Sequence, residues 1–248
     1  MAKQPARPRR KSTPKPVVAP LPLHHRIRAA AWVWGRRAAF GLVLGLLLLI
    51  VAYRFINPPL THTMWAEARS LGAIEHRWVP IEQIAPVALR SVVAAEDANF
   101  CLHWGFDMSA IRLALDEGRG RGASTLSQQT VKNVFLWQGR TWLRKALEAL
   151  ITPVVEAVWS KQRLLEIYVN VAEFDEGVFG IHAASARYFG KDPIDLNARE
   201  AARLAAVLPN PKVRSAAEPT AGLRVRAAQV RDGAATIALD GRAACFED

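Results

Sequence analysis

The chain has 248 residues, 51% of them hydrophobic, which is enough for one well-buried domain and some additional segments. Its formal net charge of +11 is concentrated at one end, because residues 1–37 hold ten of the 33 basic residues and no acidic residue. The remainder is close to neutral, so the composition argues against a domain that binds nucleic acid.

The N-terminal region predicts a basic tail followed by a membrane anchor. Residues 1–37 are rich in proline, which disfavours a packed structure. Residues 38–56 are apolar except for Arg54, and as a helix they would span roughly 28 Å, close to the hydrocarbon thickness of a bilayer. A cleaved signal peptide is the alternative, but its apolar core would be shorter and a small-residue cleavage site should follow. Because the basic flank precedes the span, we expect the N-terminus in the cytoplasm and the domain outside the inner membrane.

Beyond the anchor, the sequence predicts a stem over residues 57–79 and one domain over residues 80–248. Few runs alternate between apolar and polar residues, so the domain is predicted to be mainly α. Between two predicted helices, residues 118–122 alternate glycine and arginine, which indicates a flexible cationic loop. The predicted helices are Val87 to about Ala95 after Pro86, 107–117, an N-cap at Ser124 with a helix through Lys132, Thr141 to Trp159 with a kink at Pro153, Lys161 to about Val171 after a cap at Ser160, Ile181 to Tyr188, and 197–208.

Cys101 and Cys245 are the two cysteines of the chain. Outside the cytoplasm they could pair, but two cysteines do not make a disulfide scaffold. A buried free thiol is therefore the favoured interpretation of Cys101.

An acidic pair, Glu96-Asp97, stands where an apolar helix is predicted to end. Negative charge is disfavoured there by the helix dipole, and a residue that breaks a local rule is a candidate for function. A carboxylate against apolar walls has a raised pKa, which suits Glu96 to proton transfer near neutral pH. Asp97 should face elsewhere, because neighbouring residues do not share a helix face. Nearby His103 has no Cys/His cluster around it, so we do not expect it to bind a metal. We expect it to form a hydrogen bond with a backbone group.

A second block combines hydroxyls, amides and one ammonium on a predicted helix. Its spacing would place Gln128 beside Lys132 and Gln129 beside Asn133, giving a polar face for sugar hydroxyls and a phosphate. The N-terminus of this helix would add an anion site. The alternative is an ordinary solvated helix face. A third cluster, Arg144, Lys145 and Glu148, would by itself be interpreted as a surface ion pair.

In the last block, Leu164, Leu165 and Tyr168 form an apolar stripe that predicts core positions. Glu166 and Asn170 would brace the neighbouring loop. The block continues through Gly177-Val178-Phe179-Gly180-Ile181 to Tyr188-Phe189-Gly190-Lys191.

These blocks, in this order, resemble the glycosyltransferase domain of the peptidoglycan polymerases, over roughly residues 80–210. The resemblance rests on four spaced motifs: Glu96-Asp97-x-x-Phe100-x-x-His103-x-Gly105, Gly122-x-Ser124-Thr125-x-x-Gln128-Gln129-x-x-Lys132-Asn133, Arg144-Lys145-x-x-Glu148, and Lys161-x-x-Leu164-Leu165-Glu166-x-Tyr168-x-Asn170. Asn99 departs from the pattern, because relatives often carry a basic residue there. The chain resembles the single-span form that lacks a penicillin-binding domain.

The resemblance implies a lysozyme-like, mainly α fold in a bacterial inner-membrane protein that joins lipid II to a growing lipid-linked glycan. Glu96 would be the base, and Glu148 the second catalytic residue, orienting nearby cations or a divalent metal. No cofactor is obligatory, although Mg²⁺ or Mn²⁺ is compatible with the chemistry. Division or elongation proteins are potential partners. The implied substrate-binding residues are Asp97, His103, Ser124, Thr125, Gln128, Gln129, Lys132, Asn133, Arg144 and Lys145.

Two other functions remain open from the sequence. A membrane-anchored lytic enzyme would cut the glycan, and fold alone does not decide between the two reactions. A catalytically silent scaffold is disfavoured by the intact Glu96 and Glu148. Trp137 and Trp142, with Phe135 and Leu136, are either headgroup-level aromatics or core residues.

Overall fold

The computed structural model describes residues 23–116, 122–139 and 141–247. It divides into an N-terminal unit that ends at Leu48 and a second unit, Leu49–Asp248. Most of the predicted cationic loop and the tail before residue 23 lie outside the described residues. The predicted mainly α class is confirmed, since eleven α-helices and three short strands make up the regular structure of the described residues, apart from three 3₁₀ turns.

Helix α1 runs over Leu23–Tyr53, and its segment Ala31–Tyr53 is long and apolar enough to cross a membrane. It begins before the predicted residue 38, because residues 23–37 contain no proline and are rich in alanine and arginine, which favour helix. The helix ends one residue before Arg54, whose guanidinium donates to the carbonyl oxygen of Val158 at 2.8 Å.

The segment that the sequence marks as a stem holds a packed helix, α2 (His62–Leu71). Its N-cap is Thr61, whose hydroxyl accepts the amide of Met64, and Met64 itself is buried. Thr63 accepts a hydrogen bond from Gln138, 75 residues later, at 3.0 Å. These contacts place α2 against the domain.

Two groups of helices form the domain and meet at the site described below. The first group packs α3 (Pro86–Glu96) against α9 (Ala198–Val207) and α10 (Ala221–Leu239). The second group packs α5 (Leu126–Phe135) against α6 (Trp142–Val158) and α7 (Lys161–Val171). Helix α4 (Met108–Asp116) lies between them in the chain, and α3 also contacts α7.

Local signals account for most of these helix boundaries. Pro86 occupies the first turn of α3, where its missing amide hydrogen is not needed, and Ser160 caps α7 by accepting the amide of Arg163. Pro153 lies inside α6 without ending it. The predicted N-cap at Ser124 is wrong by one residue, because Thr125 caps α5.

A small sheet lies beside α7 and α8 (Gly180–Phe189), with strands β1 (Glu75–His76), β2 (Glu173–Asp175) and β3 (Val178–Phe179). Its order is β1-β3-β2, with β1 parallel to β3 and β2 antiparallel to it. Gly180 has φ +83° and lies so close to α7 that an added Cβ would stand 2.8 Å from the carbonyl oxygen of Asn170. The Asn170 side chain in turn pairs with both backbone groups of Val79, which is the bracing predicted for it.

The interpretation of Cys101 as a free thiol is wrong, because Cys101 and Cys245 form a disulfide with a Cα–Cα distance of 5.6 Å. The C-terminal helix α11 (Ala244–Glu247) buries Phe246 against Phe100, with ring centroids 6.4 Å apart. This packing brings together residues that are 144 positions apart, a proximity that no local sequence signal contains.

Candidate active site

Glu96 is the last residue of α3, and its side chain is 10% exposed. Its Oε2 accepts a hydrogen bond from Gln129 Nε2 at 2.9 Å. Its Oε1 is buried and has no hydrogen-bond partner among the residues that the structure describes. Burial raises the pKa of Glu96, while Gln129 and the charges of Arg226 and Lys132 oppose that rise. The carboxylate of Glu96 therefore accepts a hydrogen bond at one oxygen only, and it binds a proton more readily than a solvated carboxylate does.

The groups around Glu96 hold its carboxylate in one orientation. Gln129 also accepts a hydrogen bond, at 3.3 Å, from the hydroxyl of buried Tyr168, so both ends of its side-chain amide are held. On the other side, a guanidinium nitrogen of Arg226 lies 4.0 Å from Oε1. Tyr168 was predicted as core, which is correct, and this hydrogen bond is an additional role.

Asp97 faces away from Glu96, as predicted for neighbouring residues. Its carboxylate accepts the Nε2 of His103 at 2.9 Å and the backbone amide of Leu126 at 2.9 Å. The prediction that His103 bonds a backbone group is therefore wrong for its Nε2, because the carboxylate of Asp97 is a stronger acceptor than a backbone carbonyl. Asp97 thus occupies the N-terminal end of α5, where the sequence predicted an external anion.

Thr125 and Gln128 form a capping box, in which each side chain bonds the backbone of the other. Thr125 also donates its hydroxyl to the carbonyl oxygen of Gly105 at 2.7 Å. Both side chains are buried, so the predicted polar face of Gln128 and Lys132 is not an open surface. These two residues shape the start of α5.

Glu148 is buried between two cations on the first turns of α6. Its Oε2 accepts Arg144 at 2.7 Å, and its Oε1 accepts the ammonium of Lys145. Lys145 also donates to Ser124 Oγ at 3.2 Å, which connects α6 to the loop before α5. The surface ion pair considered from the sequence is wrong, since the Glu148 side chain is 3% exposed.

Lys132 connects the two acidic centres electrostatically. Burial lowers its pKa, and the carboxylates of Glu148 and Glu96 act in the opposite direction. Three cations, Lys132, Arg144 and Lys145, are therefore gathered near Glu96 and Glu148. Asn133, on the same helix, is half-buried.

A cavity of about 500 Å³ is lined by Glu96 and by the loop before α5. Its wall includes Asn99, the residue that departs from the family pattern. The side-chain amide of Asn99 donates to Asp107, another wall residue, at 2.9 Å. Ser124 is another of its lining residues. The space suits a polar, elongated ligand with its reactive group beside Glu96.

No group of three or more His, Cys, Asp or Glu side chains suited to a metal ion occurs among the described residues. Both oxygens of Glu148 already accept hydrogen bonds from cations. The side chains around Glu148 therefore do not fit a divalent metal, and we derive no step through one.

The four apolar residues around the start of α6 divide between the two predicted roles. Leu136 is buried and is a core residue, whereas Phe135 is half-buried and its ring stacks on Tyr53 with centroids 6.0 Å apart. Trp142 is 92% exposed, so it is not a core residue, and a position at the level of the lipid headgroups is compatible with this exposure. Trp137 is half-buried.

Sequence reasoning missed Arg226 because it comes from α10, 130 positions after Glu96, with no motif around it. Its approach depends on the packing of α10 against α3, which only the fold reveals.

The arrangement matches a known family. A family model described as Transglycosylase matches residues 64–235, which is more than half of the chain. The chain belongs to the transglycosylase family. The match includes α2, which lies before the predicted start of the domain, and it agrees with the lysozyme-like fold expected from the motifs.

Three curated relatives, each named biosynthetic peptidoglycan transglycosylase, illustrate the extent of the similarity. A protein of Jannaschia sp. (strain CCS1) is 59% identical over 86% of this chain and 89% of its own length. A protein of Rhodospirillum centenum is 49% identical over 84% of this chain and 92% of its own length. A protein of Caulobacter vibrioides is 41% identical over 82% of this chain and 91% of its own length.

Proposed function

We propose that this peptidoglycan transglycosylase, an enzyme of cell-wall biosynthesis, polymerises lipid II into β-1,4-linked glycan strands. The growing lipid-linked glycan is the donor, and a new lipid II is the acceptor. The names of the relatives support the reaction class. The observation that carries the mechanism is the Oε1 of Glu96, which is buried and accepts no hydrogen bond from the described residues.

In this mechanism Glu96 removes the proton from the acceptor 4-hydroxyl as that oxygen attacks the anomeric carbon of the donor. The bond from that carbon to the diphosphate breaks, the configuration inverts, and undecaprenyl diphosphate leaves. A raised pKa makes the carboxylate a stronger base, and general-base catalysis contributes about 10²–10⁴-fold. Gln129 keeps the other oxygen in place, so that Oε1 points to the acceptor.

The cations perform the second half of the reaction. A diphosphate leaves without protonation, so positive charge replaces the acid that a glycan hydrolase requires. Lys132, Arg144 and Lys145 stabilise the departing diphosphate, and buried Glu148 holds the latter two in position. This cluster favours synthesis over a lytic reaction.

The remaining predicted site residues divide into two roles. Asp97, His103, Thr125 and Gln128 position the start of α5 through their mutual contacts. Exposed Ser124 and half-buried Asn133 contact the substrate.

The proposed location is the bacterial inner membrane, with one spanning helix, a cytoplasmic N-terminus and a periplasmic catalytic domain. Confinement of enzyme and both substrates to one membrane avoids a three-dimensional search. Proteins of the division or elongation machinery are the proposed partners, and nucleic acid is not.

The test supplies purified full-length protein in detergent with lipid II and resolves the products on a gel. Long glycan chains are expected from the parent and from Glu82→Gln, an exposed control, and none from Glu96→Gln, which should still bind lipid II. Polymerisation by Glu96→Gln would refute the assignment of the base. Shortening of preformed peptidoglycan without synthesis would refute the polymerase in favour of a lytic enzyme.

A further inference from the structure

A second cavity, of about 470 Å³, lies between α9 and α10, and none of its lining residues is shared with the cavity at Glu96. Four arginines line it: Arg199, Arg203, Arg224 and Arg231. Ala202 and Ala227 are among its other lining residues, and their small side chains leave the space open. The proposed polymerisation uses none of these groups.

The spacing of the arginines directs them to one place. Arg199 and Arg203 are four residues apart on α9, and Arg224 and Arg231 are seven apart on α10, so each pair shares a helix face. Like charges at these spacings repel each other. No acidic side chain is among the described residues that line the cavity, and the pair between Arg231 and Asp232 is exposed on both sides, where such pairs contribute little.

Three of the four side chains already make hydrogen bonds within the domain, Arg231 in its exposed pair with Asp232. Arg203 donates to the carbonyl oxygen of Ala217 at 2.5 Å, and its guanidinium lies 5.3 Å from the ring centroid of Phe189. Its Nε is buried without a hydrogen-bond partner in the described part of the chain. Arg224 donates to the carbonyl oxygen of Pro219 at 2.7 Å. Preorganised guanidinium groups lose less freedom when they bind an anion.

We propose that this arginine cavity binds a phosphate-bearing anion. Planar guanidinium groups bind phosphate oxygens in pairs, and four of them around one concave space match a compact, multiply charged group. An extended acidic peptide is disfavoured, because α9 and α10 offer no strand edge for main-chain pairing. The phosphate has two sources, a soluble anion or a phospholipid headgroup of the membrane that holds the anchor.

The experiment titrates full-length protein in detergent with inorganic diphosphate and measures binding by calorimetry. We expect saturable binding by the parent and by Lys132→Gln, since the cavity is separate from the cations to which the proposed function assigns the leaving diphosphate. The double variant Arg199→Gln/Arg231→Gln should weaken binding at least tenfold. Both residues are exposed, so the variant should unfold at the parental temperature. The control, Arg69→Gln/Arg112→Gln, removes the same charge from exposed positions outside the cavity and should bind as the parent does.

The proposal is overturned by non-saturable binding, by equal losses in both double variants, or by tighter binding of a poly-glutamate peptide than of diphosphate. The source of the phosphate is distinguished by competition in neutral detergent with glycerophosphoglycerol, the water-soluble headgroup of phosphatidylglycerol. If this phosphodiester displaces diphosphate from the parent, a lipid headgroup is the ligand. If it does not, the ligand is a soluble anion.

Discussion

Gln129 donates a hydrogen bond to Glu96 at 2.9 Å, and the second oxygen of that carboxylate is buried and accepts no hydrogen bond from the described chain. The amide that makes this contact is itself held by Tyr168. The carboxylate is therefore oriented by one atom and reactive at the other, which is the geometry that a general base requires.

Replacement of Gln129 by alanine tests this orientation. The hydrogen bond from Gln129 lowers the pKa of Glu96, so its loss should raise that pKa further and move the acidic limb of the rate profile to higher pH. We also expect kcat to fall roughly tenfold, because the base loses its alignment. The measurement is a pH–rate profile for polymerisation, with half-buried Gln162→Ala as the control. An acidic limb at the parental pH would contradict the prediction.

The buried carboxylate should also reduce stability at neutral pH. Because the pKa of Glu96 is raised in the folded state, folding favours its protonated form. The favourable contribution of Glu96 to stability is present below the pKa that it has in the unfolded state. It is lost as the pH rises through the higher pKa of the folded state. Glu96→Gln should therefore unfold at a higher temperature than the parent at pH 7.5, and the difference should disappear by about pH 4. A stability difference between the two proteins that stays constant from pH 4 to pH 7.5 would contradict a raised pKa.

Glu148 is expected to matter for stability as well as for turnover. Its replacement by glutamine leaves Arg144 without its carboxylate partner in a buried setting, and loss of one partner of a buried pair costs about 3 kcal/mol. The control is Glu75→Gln, which breaks the exposed pair with Arg187 and should change the free energy of unfolding by less than about 0.5 kcal/mol. Urea unfolding of both variants decides the point, and similar losses would show that burial of Glu148 is energetically unimportant.

Local signals made much of this fold predictable, and long-range contacts explain the rest. Proline at the first turn of α3 and serine before α7 set helix starts, and both signals act within one turn. The capping role of Gln128 was missed, because its spacing is also that of an exposed polar face. The choice between these roles depends on burial, which comes from packing of the whole domain.

The candidate site divides in the same way. The position of Glu96 at the end of an apolar helix could be predicted, since both the helix and its end are local features. Arg226 and the pairing of Cys101 with Cys245 could not, because each joins segments more than a hundred residues apart. Only the docking of α10 and α11 against the first half of the domain creates those contacts.

The disulfide should contribute strongly to stability. It closes a loop with a sequence separation of 144, and in the chain-entropy treatment a loop of that order restricts the unfolded state by about 4–5 kcal/mol. The double variant Cys101→Ser/Cys245→Ser should therefore unfold at a markedly lower urea concentration than the oxidised parent. Reduction of the parent should produce the same change and have no effect on the double variant. An identical midpoint for oxidised and reduced parent would show that the bridge is absent or energetically neutral.

Gly180 should be intolerant of any side chain, because two separate constraints meet there. Its φ of +83° is unfavourable for other residues, and an added Cβ would stand 2.8 Å from the carbonyl oxygen of Asn170, a backbone atom that cannot turn away. Gly190 provides the matched control, since its φ is +63° but nothing lies within 4 Å of an added Cβ. Gly190→Ala should therefore lower the free energy of unfolding by about 1 kcal/mol, through the unfavourable φ alone. Gly180→Ala should lower it by that amount and by roughly 2 kcal/mol more, because the added Cβ displaces α7. Urea unfolding measures both, and equal losses would mean that the close approach of α8 to α7 relaxes freely. The same displacement would reach Tyr168, two residues before Asn170, so Gly180→Ala should also lower kcat by loosening the hydrogen bond that holds Gln129.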